Sequence, residues 1–142
     1  MKVSTILSTK QSGIITIQST QTIKEAASLL SKHNIGALIV QDASQNLVGI
    51  LSERDIIHLI SQHDKATLLP VSSAMTTDVI TGSPSDDLMS LANTMTEKRF
   101  RHIPIVRDNE LMGMISIGDI LKVQRDQYRG ERNTLETQIL AE

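Results

Sequence analysis

The chain has 142 residues, of which 39% are apolar, with a net charge of −2 and no cysteine. One compact domain, or two very small halves sharing a core, fits that length. Disulfides, thiolate catalysis and cysteine-ligated zinc are excluded. Phe100 and Tyr128 are the only aromatic residues, so the core is expected to be aliphatic. Base stacking and a phosphate-tracking basic stripe both lack their residues, which disfavours nucleic acid as a partner. MKVSTILSTK has no long apolar run, and no stretch approaches the ~18 apolar residues of a membrane span. The expectation is a cytoplasmic protein with no membrane partner.

In chain order, Val3–Lys10 returns as Val71–Asp78. Each copy precedes a strand-forming patch, Ile14–Ile17 and then Val79–Thr81. Polar turns follow, Gln18–Gln21 and Gly82–Asp86, with Pro84 in the second. Ile23, Ala26, Ala27 and Leu30 then fall at i, i+3, i+4, i+7, as do Leu88, Leu91, Ala92 and Met95. That spacing predicts two amphipathic helices. Thr22-x-x-Glu25 reads as a capping box for the first, and Ser85 or Asp86 as the N-cap of the second. His33–Gly36 carries stop chemistry.

Hairpins come next. Ala37–Val40 and Leu47–Leu51 are joined by Gln41–Asn46; Ile103–Val106 and Leu111–Ile115 are joined by Arg107–Glu110. A helix closes each half, with apolar positions Ile56, Ile57, Leu59 and Ile60, then Ile120, Leu121 and Val123. Each hairpin runs into its helix through the same element, Gly49-x-x-Ser52-x-x-Asp55 and Gly113-x-x-Ser116-x-x-Asp119, 64 positions apart. The chain is therefore one strand–helix–strand–strand–helix unit used twice, with residues 1–69 and 70–124 as repeats, His63–Leu69 as a polar bridge, and a polar extension at 125–142. A half of this size is marginal alone, so the two are expected to bury their sheets against each other about a pseudo-two-fold axis. In the extension Leu121, Tyr128 and Leu135 recur every seven residues, with Ile139 beyond and Gly130 inside. A surface extension and a helix docking on a partner subunit both fit this pattern.

The doubled helix, the IGALIV or RHIPIV strand, and GILSERDI or GMISIGDI resemble a tandem pair of CBS domains over about residues 3–124. The resemblance implies an α/β (α+β) fold of two pseudo-symmetric β-α-β-β-α repeats packed sheet to sheet. It also implies a regulatory, non-catalytic module that senses an adenosine ligand such as AMP, ADP, ATP, NAD(H) or S-adenosylmethionine. No metal is required. A homodimer and a regulated protein partner are implied as well.

For Ser52, Asp55, Ser116 and Asp119 the bland reading is a helix capping box. A helix mouth is also where phosphate binds and where a carboxylate can hold a ribose cis-diol. The resemblance assigns ribose to Asp55 and Asp119 and places the serines near ribose or phosphate. Arg101 and His102 are either a solvated pair at a strand edge or phosphate contacts. The first half has Ile35-Gly36 at these places, so the two sites are chemically unequal. Arg54, whose counterpart is Gly118, is a solvent-facing arginine or a phosphate contact. Ile15, Thr16, Ile80 and Thr81, with Ala37 and Ile103, are core strand residues that the resemblance sets around adenine. Gly49 and Gly113 read as close-packing positions. His33, His58 and His63 are expected at the surface. No Gly-rich phosphate loop, His-Glu-x-x-His or nucleophile elbow is present. A scaffold that dimerises without ligand is the alternative function.

Overall fold

The structure is a computed structural model that describes residues 1–10 and 13–141. It divides into two compact units: Ser12–Thr81, here the central unit, and Met1–Gln11 with Gly82–Glu142, the terminal unit. Compaction thus follows a different division from the repeats read at 1–69 and 70–124.

The central unit contains β1 (Thr16–Gln18), α2 (Ile23–His33), β2 (Ala37–Gln41), β3 (Leu47–Ser52) and α3 (Glu53–Gln62), then 3₁₀ turns at Ala66–Leu68 and Val71–Ser73. β1 pairs parallel with β2, and β2 pairs antiparallel with β3. α2 opens on the expected capping box, Thr22 with Glu25. It stops at Asn34, whose φ of 52° is left-handed backbone that asparagine tolerates better than most residues. The core is aliphatic: Ile17, Ile23, Leu30, Leu38, Val40, Leu51, Ile56 and Leu59, completed by Ala66 and Val71. The bridge at 63–69 is therefore built into the unit, through Ala66 and through the Leu69 carbonyl, which accepts from the Ile23 amide at 2.9 Å.

The terminal unit contains α1 (Val3–Thr9), α4 (Leu88–Lys98), β4 (His102–Arg107), β5 (Glu110–Ser116) and α5 (Ile117–Ala141). Its core is Val3, Ile6, Leu88, Leu91, Met95, Ile103, Ile105, Ile115 and Ile120. β4 and β5 pair antiparallel, with Arg107 opposite Glu110, so the turn itself is only Asp108-Asn109. Both have positive φ, 51° and 63°, as a two-residue type I′ turn requires. The hairpin loop is thus shorter than the four residues expected. Both hairpins carry a register shift at the same relative place, Val40/Gln41 and Ile105/Val106.

The repeat expected at Val79–Thr81 does not form a strand. A single parallel bridge at Gly82 to Ile105 stands where β1 stands in the other unit. By register Gly82 stands where Ile17 stands, so Val79–Thr81 match Ile14–Thr16, of which only Thr16 lies in β1; the strand expected over Ile14–Ile17 is likewise displaced to Thr16–Gln18. On the far side of the bridge, Ser19 donates its amide to the Gln41 carbonyl at 3.1 Å, and Pro84 at the matching place has no N–H to extend the pairing. The N-cap of α4 also shifts: it is Asp87, which accepts from the Ser90 amide. Asp86 instead accepts from the Ser83 amide within the preceding turn.

The leading segments decide the division into units. The Val71 amide donates to Gln21 O and the Ile23 amide to Leu69 O; in the terminal unit Val3 donates to Asp86 O and Leu88 to Met1 O. These are the same bonds, made by the segment that precedes the other repeat. Of the closing-helix positions, Ile56, Leu59 and Ile120 are buried, whereas Ile57, Ile60 and Leu121 are exposed. The extension continues α5 as helix to Ala141, with Tyr128 and Leu135 exposed. Glu142 and the Ile139 side chain lie outside the described residues.

Candidate functional site

Each unit presents one helix mouth built by the same local chemistry. β3 ends at Ser52 in extended backbone, and α3 begins at the next residue. Asp55 Oδ2 accepts from the Ser52 amide at 2.9 Å, and Ser52 Oγ accepts from the Asp55 amide at 3.1 Å. At the start of α5 Asp119 and Ser116 make the reciprocal pair at the same two distances. The capping reading is therefore correct at both places, and all four side chains remain half-buried, within reach of solvent. The first amide of each helix is also taken: Glu53 donates to Gly36 O, and Ile117 donates to Arg101 O. What each mouth offers an anion is the dipole end and its second amide, from Arg54 or Gly118. What it offers a diol is one carboxylate with acceptor capacity remaining.

Strand register aligns the two mouths and corrects one correspondence. Ala37 pairs with Ser52, and His102 pairs with Ser116. His102 therefore matches Ala37, and Arg101 matches Gly36. The chemical inequality survives: a half-buried imidazole and an exposed guanidinium stand where the central unit has methyl and hydrogen. Ala37 and Ile103 are 0% and 2% exposed, so their side chains belong to the cores and only their backbone is left to meet a ligand. Ile15 and Thr16 are half-buried at the entrance to β1, while Ile80, Thr81 and Arg54 are exposed.

Sequence reasoning missed Lys10. Its Nζ lies 2.9 Å from Asp119 Oδ2 and donates to the Met114 carbonyl at 2.7 Å. The partners are 109 positions apart, too far for any local pattern to join them. The only hint is that Lys10 returns as Asp78 in the repeat, with its charge reversed.

His33, His58 and His63 are exposed. Among the described residues no three His, Cys, Asp or Glu side chains stand together to hold a metal ion. No helix among them is long and apolar enough to cross a membrane.

Comparison with known proteins agrees with this doubled geometry. The family model for the CBS domain matches twice, at residues 3–62 and 71–126. The CBS domain-containing protein YhcV of Bacillus subtilis is 34% identical over 117 residues, covering 82% of this chain and 83% of its own. The CBS-domain protein ATU1752 of Agrobacterium tumefaciens superposes with a TM-score of 0.83 at 35% identity, covering 87% of this chain and 92% of its own. The CBS domain pair of protein MJ0100, solved with 5-methylthioadenosine and S-adenosyl-L-methionine, superposes with a TM-score of 0.80. It is 30% identical, covering 89% of this chain and 98% of its own.

Proposed function

This chain belongs to the CBS-domain family, and from that premise we propose that it is a non-catalytic regulatory module that binds an adenine ribonucleotide. AMP, ADP, ATP and NAD(H) are the ligand class. The observation that carries the reading is the repeated mouth, in which a half-buried carboxylate sits at the positive end of a helix in both units. Asp55 and Asp119 take the ribose hydroxyls. Arg101, His102 and Arg54 supply charge for phosphate. Ile15, Thr16, Ile80 and Thr81, with the backbone at Ala37 and Ile103, receive the base. The MJ0100 pair, held with two adenosine compounds, supports the ligand class. Ligand biases the population of conformations, and a protein partner reads the result. No metal takes part, and the module works in the cytoplasm as a homodimer.

The test is a thermal-shift panel with AMP, ADP, ATP, NAD, NADH and S-adenosylmethionine, beside GMP and deoxy-AMP. A ligand that binds only the folded state raises the melting temperature by mass action. Adenine ribonucleotides should raise it and deoxy-AMP should not. A flat panel at millimolar ligand overturns the reading. One observation favours the alternative of a ligand-independent dimerisation scaffold: the serine–carboxylate pairs are already satisfied as caps. Under that reading Asp55→Ala and Asp119→Ala cost stability but change no ligand response.

A further inference from the structure

The two mouths differ most at the carboxylate itself. Asp55 Oδ2 accepts from the Ser52 amide, whereas Asp119 Oδ2 accepts from both the Ser116 amide and Lys10 Nζ. Lys10 and Asp119 are 29% and 23% exposed, sheltered enough that the pair is less screened than a surface ion pair. A second bond, to the Met114 carbonyl, fixes the ammonium at the edge of β5 beside the start of α5. Lys10 is the C-cap residue of α1, and the burial of Val3 and Ile6 anchors that helix in the terminal unit. The ammonium is therefore held at the mouth by packing remote from it.

We infer that Lys10 is a specificity-determining residue that restricts the terminal-unit site to phosphorylated adenosines. The inference rests on the reading of Asp119 as the ribose carboxylate. A ribose diol donates two hydrogen bonds to that group, and Asp119 Oδ2 already accepts from both the Ser116 amide and Lys10 Nζ, so a hydroxyl that bonds Oδ2 must displace the ammonium. An uncharged nucleoside that displaces the ammonium leaves it with only the Met114 carbonyl, and nothing in the ligand compensates. A phosphate supplies the anion that the released ammonium needs, and Arg101 adds a second cation at the same mouth. At the central unit Asp78 holds the repeat position of Lys10, so no such restriction applies there.

The experiment is calorimetric titration of AMP and adenosine into Asp55→Ala protein, which leaves the terminal-unit site to be read alone. The same titrations are run with Lys10→Met, Lys10→Arg and Asp119→Ala added singly. The Asp55→Ala protein should prefer AMP. Lys10→Met should shrink the AMP-to-adenosine affinity ratio at least tenfold, partly through tighter adenosine binding, and Lys10→Arg should keep the ratio within about threefold. An unchanged ratio in Lys10→Met, with binding abolished in Asp119→Ala, overturns the inference and leaves the nucleotide reading intact. Loss of the preference in Lys10→Arg as well as Lys10→Met assigns Lys10 to packing and also overturns it. Equal binding in Asp119→Ala and its parent overturns the nucleotide reading itself.

Discussion

Leu7 and Gly113 meet across 106 positions of sequence: a Cβ on the glycine would lie 2.8 Å from Leu7 Cδ2. The relation recurs 64 positions earlier, where a Cβ on Gly49 would lie 2.8 Å from Met75 Sδ and 3.0 Å from the Thr76 carbonyl. The glycines of the repeated element thus admit the leading segment of the other repeat against the hairpin. Gly113→Ala and Gly49→Ala should each destabilise their unit by about 1–3 kcal/mol through overpacking. Gly49→Ala should be the more costly, because a backbone oxygen yields less than a leucine methyl. Denaturant unfolding of each variant measures this, and equal small losses would contradict the asymmetry.

The caps at Ser52 and Ser116 stand in different units and share no partner. Ser52→Ala and Ser116→Ala should each cost about 1 kcal/mol, and Ser→Thr at either place much less. The double variant should lose close to the sum. A strongly non-additive result from chemical denaturation would mean that the two mouths are energetically coupled.

Asp42 closes the first hairpin loop. Its carboxyl is held below its ordinary value of 3.8 by the Asn46 backbone amide first, then the Asn46 side-chain amide and the Ser44 amide. The bonds measure 2.9 Å, 3.2 Å and 2.9 Å. A lowered folded-state pKa means a contribution that is present above 3.8 and lost as pH falls through the folded value. Asp42→Ala should therefore be less stable than the parent at pH 7, with the deficit closing below about pH 3.8. Thermal melts at pH 7 and pH 3 compare the two, and a deficit that does not change with pH would contradict the linkage.

Ile57 and Leu121 hold the same place in the two repeats and are 66% and 58% exposed, with Ile60 at 51% beside the first. Apolar side chains left open at matching positions suit the proposed homodimer. Ile57→Asp and Leu121→Asp should each lower the mass seen by light scattering from dimer to monomer while leaving the circular dichroism of the folded chain intact. A monomeric parent protein would refute the dimer.

The apolar strands Ala37–Val40 and Leu47–Leu51, the Thr22–Glu25 box and the doubled Ser-x-x-Asp were all legible in the sequence. Each is set by residues within a few positions of one another, through apolar period, turn chemistry or a side chain reaching its own backbone. The absence of a strand at Val79–Thr81 was not legible from β-forming composition, because only the register shows that these residues match Ile14–Thr16, where the ladder of the other unit has barely begun. The exposure of Ile57 and Ile60 was not legible, because an apolar run on a helix does not say which of its sides meets the core.

By itself, then, the sequence determined that one unit is written twice and where each unit's hairpin and Ser-x-x-Asp carboxylate fall, whereas the N-cap of α4 moved to Asp87. Only the tertiary structure decided that Leu7 packs on Gly113 and that Lys10 reaches Asp119. The physical reason is range. Local patterns report bonds that close within a turn or two of chain. Which of two related leading segments docks on which of two related hairpins is settled by packing, for Leu7 on Gly113 between residues a hundred positions apart, and that contact leaves no period in the sequence.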